Sequence, residues 1–184
     1  MAAAHRKLST FPAFHRVEGR RVVIVGEGRE AAAKLRLLSE TSANLVLFAP
    51  HIEPEAAGDA AAAGAEHVAR WPEPADLDGA ALVFAATGEL DHDTRVRELA
   101  KGAGIPVNVV DRPDLCDFHV PALVNRAPLA VAISTDGKAP VLARHVRVRI
   151  EGLLTPAIGD LAHLARGRSR LGDLAALAGR ARRT

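Results

Sequence analysis

The stretch Arg21-Val-Val-Ile-Val25-Gly26-Glu27-Gly28-Arg29-Glu30-Ala31 decides the fold class. A β-branched run ends at a glycine, as a buried strand followed by a turn does, and residues 30–40 have the composition and apolar spacing of a helix. A second apolar run follows at 45–48. A strand, a helix and a strand in this order favour two parallel strands joined by a right-handed crossover. The stretch therefore predicts an α/β protein with a doubly wound sheet.

The same alternation continues to Asp111 and then changes. Up to that residue the pattern predicts further strands at 67–70, 81–86 and 106–110 and helices at 54–65 and 91–103. Beyond it we expect a turn-rich stretch at 112–117, an extended piece at 120–124, a strand at 128–134, a helix at 141–154 opened by Pro140, and helical patterns at 158–166 and 171–181. These features predict a Rossmann-like parallel sheet domain (1–113), a small α+β segment (114–154) and a short C-terminal helical region (155–184).

Composition excludes several classes of protein. With 184 residues, 48% of them hydrophobic and 25% charged, the chain fits one globular core with at most a small appendage. No apolar run approaches the roughly 18 residues that span a bilayer, and the start lacks the apolar stretch of a secretory signal, so we expect a cytoplasmic protein with no membrane partner. The single cysteine, Cys116, forms neither an internal disulfide nor a thiolate metal cage, and no metal site is predicted.

Charge is distributed unevenly along the chain. Up to Asp111 there are 12 Lys and Arg against 16 Asp and Glu, whereas from Arg112 onward there are 12 against 6. A basic second part suits an anionic partner, which is a nucleic acid, an acidic small molecule or an acidic protein. Aromatic residues make up only 3% with no Tyr, and this disfavours base stacking. We therefore expect no nucleic-acid partner.

The glycine-rich turn predicts a nucleotide site because of its position between a strand and a helix. Gly26 permits the tight turn, Gly28 lets a pyrophosphate approach backbone N–H groups, and Ala31 keeps helix and strand close. The alternative interpretation is a plain turn. The acid that usually binds the ribose stands about 20 residues after the first glycine. Here that stretch reads Phe48-Ala-Pro-His51, and the first acid is Glu53, so the choice between NAD and NADP cannot be read from this position.

Two polar residues end later strands of the predicted sheet. Asp111 follows the strand 106–110, at the edge where open α/β sheets bind ligands, so it is a candidate general base or partner of a cationic nitrogen near the nicotinamide. Its alternative role is to cap the following turn. Thr87 ends the preceding strand and is a candidate cofactor contact, with a turn hydroxyl as the alternative.

An ordered series of short motifs resembles the precorrin-2 dehydrogenase family, which includes the dehydrogenase and ferrochelatase module of siroheme synthases. The series runs from about Leu8 to Leu154 and comprises Phe11-Pro-Ala-Phe14, Val25-Gly-Glu-Gly28, Ala33-Lys34, Leu37-Leu38, Ala49-Pro50, Ala85-Ala-Thr87, Asn108-Val-Val-Asp111, Phe118, Pro121-Ala122, Arg126 and the stretch Val131 to Arg144. Each motif is weak alone, but the ordered set is specific.

This resemblance implies an NAD-dependent oxidation of precorrin-2 to sirohydrochlorin, on the way to sirohaem or cobalamin. In bifunctional members the same site then inserts iron, so ferrous iron or cobalt is a possible further substrate. The family's key aspartate falls on Asp111, which agrees with the base role inferred from its place at a strand end. The family's middle segment forms an intertwined homodimer, and its C-terminal part is helical.

The resemblance and the chemistry together give the candidate site residues. The expected cofactor-binding residues are Gly26, Glu27, Gly28, Arg29, Glu30, Ala31, Pro50, Thr87, Asn108 and Val110. Because the tetrapyrrole is fringed with carboxylates, cations should line its cleft. The expected substrate-binding residues are Arg112, Arg126, Ser134, Thr135, Lys138 and Arg144, and for the cations the alternative is a solvated surface charge.

The sequence departs from the family pattern at two positions. Asp136 stands where members usually have a glycine after the hydroxyl residues, and Glu27 lies between the turn glycines. Asp136 adds negative charge and narrows the conformations of its loop. This change, with the missing ribose acid, motivates an alternative function: a non-catalytic sensor that binds NAD or the tetrapyrrole on the same fold.

Overall fold

The structure is a computed structural model that describes residues 7–164, with only the backbone of 161–164. The strands in this range are β1 (Arg21–Val25), β2 (Asn44–Phe48), β3 (Glu66–Val68), β4 (Leu82–Ala85), β5 (Val107–Val109), β6 (Ala122–Arg126) and β7 (Leu129–Ile133). The helices are α1 (Arg29–Leu38), α2 (Pro54–Ala62), α3 (Leu90–Gly102), α4 (Pro140–Leu153) and α5 (Ala157–Leu164). The chain divides into two compact units between His119 and Val120.

The first unit is built on a five-stranded parallel sheet in the order β3-β2-β1-β4-β5. The residues of β1 from Val22 to Val25 and those of β4 are buried on both faces, which explains why both strands are almost wholly apolar. The predicted Rossmann-like parallel sheet is confirmed. Strand order reverses between β1 and β4, and such a switch point opens a crevice at the carboxyl ends of the strands.

Helix α1 follows β1 directly and packs a face of small and aliphatic residues inward. Ala31, Leu35 and Leu38 are buried at the spacing that places them on one side of a helix. The helix ends at Leu38, earlier than the predicted Glu40. Its end is set by hydroxyl groups: Ser39 Oγ donates to the Arg36 carbonyl at 2.8 Å, and Thr41 Oγ1 donates to that of Leu38 at 2.6 Å.

The segment after β5 belongs to the first unit. Residues 114–119, which we expected to open the second domain, begin within a short 3₁₀ turn at Pro113–Leu115. Asp117 then lies beside β5, where its N–H donates to the Val107 carbonyl at 2.9 Å and its carboxylate accepts from the Val107 N–H at 3.0 Å. These bonds explain why the chain divides after His119 and not at residue 113.

The second unit combines a β-hairpin with helices. Strands β6 and β7 pair antiparallel, with Val124 opposite Val131, and α4 packs against them. Pro140 is the first residue of α4, as predicted. The helix expected at 171–181 and the end of the one expected at 158–166 lie outside the described residues. No helix within residues 7–164 has the length and apolar character needed to cross a membrane.

Candidate functional site

The glycine turn between β1 and α1 is held against the neighbouring strands. Gly26 donates its N–H to the Phe48 carbonyl at 3.1 Å, and Ala86 donates to the Val25 carbonyl at 2.8 Å. Gly26 has φ of +154°, and a Cβ built on it would collide with the carbonyl oxygen of Ala86. Only glycine fits this position, so the turn passes closer to β4 than any other residue allows.

Gly28 caps the N-terminus of α1 with its backbone alone. No side chain accepts a hydrogen bond at this cap, and the first N–H groups of a helix have no partner within the helix. Together with the helix dipole, these groups form a site for an anion such as a pyrophosphate. Glu27, Arg29, Glu30 and Ala31 lie in the same turn or first helical turn, as the sequence predicted.

The loop after β2 folds back onto this turn. Glu53 donates its N–H to the Glu27 carbonyl at 2.9 Å, and Glu27 Oε1 accepts from the His51 N–H at 3.0 Å. A Cβ built on Gly28 would lie 2.9 Å from Glu53 Oε2, so the carboxylate of Glu53 lies directly against the glycine. Sequence reasoning passed over Glu53 because it stands beyond the usual position of the ribose acid. The half-buried Pro50 lies at the start of this loop.

Thr87, which follows β4, has the role of a turn hydroxyl. Its Oγ1 donates to Asp93 Oδ1 at 2.7 Å and accepts from the Glu89 N–H at 3.1 Å. Asp93 is fully buried on α3, and it also accepts from the backbone N–H of Thr87 at 3.1 Å. The hydroxyl proton of Thr87 is therefore committed within the protein. Of its two proposed roles, this geometry favours the turn.

The same buried carboxylate holds Arg112. Its Nε lies 3.4 Å from Asp93 Oδ2, and its guanidinium is about a third exposed. Asp93 thus links the loop after β4 to the turn after β5. Sequence patterns do not predict this pairing, because Asp93 and Arg112 are far apart along the chain.

Asp111 is exposed at the carboxyl end of β5, at the sheet edge where the glycine turn also lies. Its φ of +58° is in the left-handed region that asparagine and aspartate tolerate better than most residues. The strand before it is anchored: Val110 donates to the Ala85 carbonyl at 2.9 Å, and the buried Asn108 donates to that of Phe118 at 2.9 Å. Asn108 therefore fixes the segment after β5, and its amide does not face the sheet edge as a free group.

Lys34 is a second residue that sequence reasoning did not place in the site. It lies on α1, one turn after Glu30, and its partial burial lowers the pKa of its ammonium group. The carboxylates of Glu30 and Asp111 act in the opposite direction, so Lys34 interacts electrostatically with the candidate base. Burial also raises the pKa of the Cys116 thiol, which donates to the Val109 carbonyl at 3.1 Å and packs in the same region.

The remaining candidate residues lie in the second unit. Arg126 donates from Nε to the Leu154 carbonyl at 2.7 Å and so caps the C-terminus of α4. Ser134 Oγ accepts from the Asp136 N–H at 3.1 Å, and Thr135 Oγ1 accepts from the Ala139 N–H at 3.2 Å. Both hydroxyls therefore order the loop before α4.

The two other cations of this unit are exposed. Lys138 lies 3.6 Å from Asp136, and Arg144 points outward from α4. Asp136 has φ of +61°, the conformation for which glycine is favoured and which aspartate tolerates. Across the described residues, no group of three or more His, Cys, Asp and Glu side chains is arranged to hold a metal ion.

Comparisons with known proteins identify related families. The family described as putative NAD(P)-binding matches residues 13–122, and the one described as the central part of a sirohaem biosynthesis protein matches 126–153. The chain is 43% identical over 158 residues to a siroheme synthase of Methylobacillus flagellatus, and 46% identical over 155 residues to one of Azotobacter vinelandii. These alignments cover 86% and 84% of this chain but only 34% and 33% of the two relatives.

A solved structure shares the fold. SirC, a precorrin-2 dehydrogenase, superposes with a TM-score of 0.71 at 20% identity, and the match covers 91% of this chain and 87% of that one. At this identity the match establishes the fold alone. The chain spans about a third of the length of the siroheme synthases that it matches. The chain belongs to the putative NAD(P)-binding family, and the similarity to siroheme synthases expected from its sequence is confirmed.

Proposed function

We propose that this protein oxidises precorrin-2 to sirohydrochlorin with NAD as the hydride acceptor. The observation that carries the proposal is the place of Asp111. This carboxylate is exposed at the carboxyl end of β5, on the same edge of the sheet as the glycine turn, in a chain 43% identical to a siroheme synthase. A carboxylate beside a dinucleotide site suits a reaction in which the substrate loses both a hydride and a proton.

The residues present fit a dinucleotide. Gly26 has no room for a side chain, and the N-terminus of α1, which no side chain caps, offers N–H groups to a pyrophosphate. NAD supplies the chemistry of hydride acceptance when it is bound. The protein's part is to hold the pyrophosphate at this turn and to orient the substrate.

Asp111 would take up the proton that the macrocycle loses. Its exposed carboxylate can accept a proton directly, and Lys34 contributes positive charge nearby. Oxidation of the tetrapyrrole removes two electrons and one proton as a hydride, and the second proton passes to the base. The products are then the oxidised macrocycle, the reduced cofactor and one proton, and the equation balances.

For the substrate carboxylates we propose that the exposed cations contribute most. Lys138 and Arg144 are exposed, whereas Arg112 and Arg126 already bind carboxylate or carbonyl groups of the protein. Ser134 and Thr135 would act by ordering the loop that carries Lys138. We further propose that the protein is a homodimer, and that insertion of ferrous iron or cobalt into the product is a second activity to be tested.

The test is NADH formation from precorrin-2. We expect Asp111→Asn to lower kcat by about 10²- to 10⁴-fold, because a positioned base contributes about that much. The matched control is Asp114→Asn, which removes an exposed carboxylate from the neighbouring 3₁₀ turn and should change kcat less than about twofold.

The result also separates the enzyme from a sensor. Wild-type protein that binds NAD and the tetrapyrrole but forms no NADH would identify a non-catalytic sensor. Equal rates for the wild type and Asp111→Asn would remove Asp111 from the mechanism. Adding ferrous or cobaltous ion to the sirohydrochlorin product, and following its visible spectrum, tests metal insertion in the same preparation.

A further inference from the structure

We propose that Glu53 is the residue that selects the cofactor: its carboxylate accepts hydrogen bonds from the adenosine ribose and excludes a 2′-phosphate, so the protein uses NAD and not NADP. The proposal rests on the dinucleotide site proposed above. It concerns a residue that lies beyond the position at which such an acid usually stands.

The Glu53 carboxylate lies between the glycine turn and the end of β2. Strands β1 and β2 are parallel neighbours, and their last paired residues are Val25 and Phe48. In this arrangement the adenosine ribose lies between the glycine turn and the end of the second strand. The loop after β2 brings Glu53 into that space, where its two carboxylate oxygens lie 2.9 and 3.0 Å from the place of a Cβ on Gly28.

Two hydrogen bonds to Glu27 fix the loop that carries Glu53. The Glu53 N–H donates to the Glu27 carbonyl at 2.9 Å, and the His51 N–H donates to Glu27 Oε1 at 3.0 Å. Glu27 therefore ties the glycine turn to the loop on both sides of Ile52. Because this loop is already held in place, the carboxylate needs little rearrangement to meet a ribose.

The charge of Glu53 distinguishes the two dinucleotides. A carboxylate accepts hydrogen bonds from the two ribose hydroxyls, whereas it repels a phosphate on the 2′ oxygen. Arg36, the cation that α1 presents to α2, is bound by Glu55 and Asp59 and so is not directed at the ribose space. Arg29, the exposed cation next to Gly28, lies 3.5 Å from Glu30. Residues 49–55 of the loop contain no Lys or Arg, so the charge that this loop presents favours a ribose without a 2′-phosphate.

The experiment measures binding of NAD and of NADP to the full chain by calorimetry, without any tetrapyrrole. We expect the wild type to bind NAD at least tenfold more tightly than NADP. Glu53→Gln should weaken NAD binding about tenfold and reduce the preference for NAD by at least tenfold, since a charge-assisted bond and a repulsion are both lost. Glu66→Gln is the matched control: it removes the same charge from the exposed first residue of β3, leaves the ion pairs of Arg36 intact, and should keep the preference of the wild type.

The binding measurements test the role of Glu53 separately from the proposed activity. A preference for NADP in the wild type, or a ratio that Glu53→Gln leaves unchanged, overturns it. Failure to bind either dinucleotide overturns both this inference and the proposed function. Selection of NAD through Glu53 in a protein that forms no NADH from precorrin-2 would support this inference while refuting the proposed activity. Glu53 is exposed, and thermal unfolding of each variant checks that the substitution leaves the fold intact.

Discussion

At the scale of single residues, the site depends on a glycine, Gly26, that lets the backbone of the turn approach β4 closely. Gly26 is buried against β4, and its backbone takes a conformation that other residues rarely adopt. Asp111 and Asp136 also have positive φ, but their side chains are accommodated. The positions differ in the space available for a Cβ atom. At Gly26 a Cβ would meet a backbone carbonyl, which cannot move aside without disturbing β4.

Gly26→Ala tests this requirement. We expect the substitution to destabilise the protein by about 2–4 kcal/mol and to abolish dinucleotide binding, because strain and a backbone clash add together. The measurement is urea unfolding, with NAD titration of the folded variant. The control is Gly58→Ala in the exposed middle of α2, where a Cβ meets nothing within 4 Å. That change should stabilise the protein by about 0.5–1 kcal/mol, and equal effects at the two glycines would contradict the argument.

At the scale of elements, the strands and helices of the first unit follow from sequence pattern, whereas the contacts of the site do not. The β-branched run of β1 and the glycines after it predict both the strand and the turn, because these signals are local. The roles of Glu53 and Asp93 depend on where a loop and a helix fold in space. Asp93 lies inside the predicted polar helix α3, and nothing near it in sequence indicates that its carboxylate is buried against Thr87 and Arg112.

The second unit shows the same limit. The sequence predicts two extended pieces near 120–124 and 128–134, but it does not predict that they pair. In the structure these two pieces are β6 and β7, which pair as a hairpin. The Ala127 N–H donates to the side-chain oxygen of Asn125 at 3.0 Å and closes the turn. An asparagine that bonds to the backbone two residues on is a turn signal of the usual kind. The geometry of this turn, and not the composition of the strands, sets the register in which β6 and β7 pair.

A salt bridge stabilises the connection between β3 and β4 in a pH-dependent way. Arg70 donates to both carboxylate oxygens of Asp76, at 2.6 and 2.8 Å, and these bonds are the main reason that the pKa of Asp76 falls from 3.8 to about 2. Asp76 also accepts from the Glu73 N–H at 2.6 Å, which caps the 3₁₀ turn Pro74–Leu77. A carboxyl group whose pKa is lowered by folding stabilises the protein above its unfolded pKa.

Asp76→Asn should therefore lower the free energy of unfolding at pH 7 by about 1 kcal/mol, a value reduced for solvent screening of the exposed Arg70. The stabilisation is complete above about pH 4 and is lost as the pH falls through about 2. Urea unfolding of both proteins between pH 2 and pH 7 measures the difference, which should shrink as the solution becomes more acidic. The exposed Asp78→Asn serves as the control, and a difference for Asp76→Asn that does not vary with pH contradicts the assignment.

At the scale of the whole molecule, helix α4 of the second unit carries large apolar side chains that are exposed among the described residues. Helix α4 exposes Val141, Leu142, Val148 and Leu153 by 71%, 54%, 59% and 79%. The helix packs its buried Ala143 against the hairpin, so these four side chains lie away from that contact. Four large apolar side chains exposed on one helix are a candidate surface for a protein partner. This surface supports the proposed homodimer.

Val148→Glu tests the homodimer at this surface. Placing a carboxylate in an apolar interface should weaken dimerisation by at least about tenfold, because the charge must be desolvated without a partner. Analytical ultracentrifugation over a range of concentrations measures the dissociation constant. The control is Leu90→Glu, which makes a similar change at a residue of α3 in the first unit that is 53% exposed. It should leave the dimer intact. A wild type that is monomeric at all concentrations, or variants with the same dissociation constant, would mean that α4 does not form the interface.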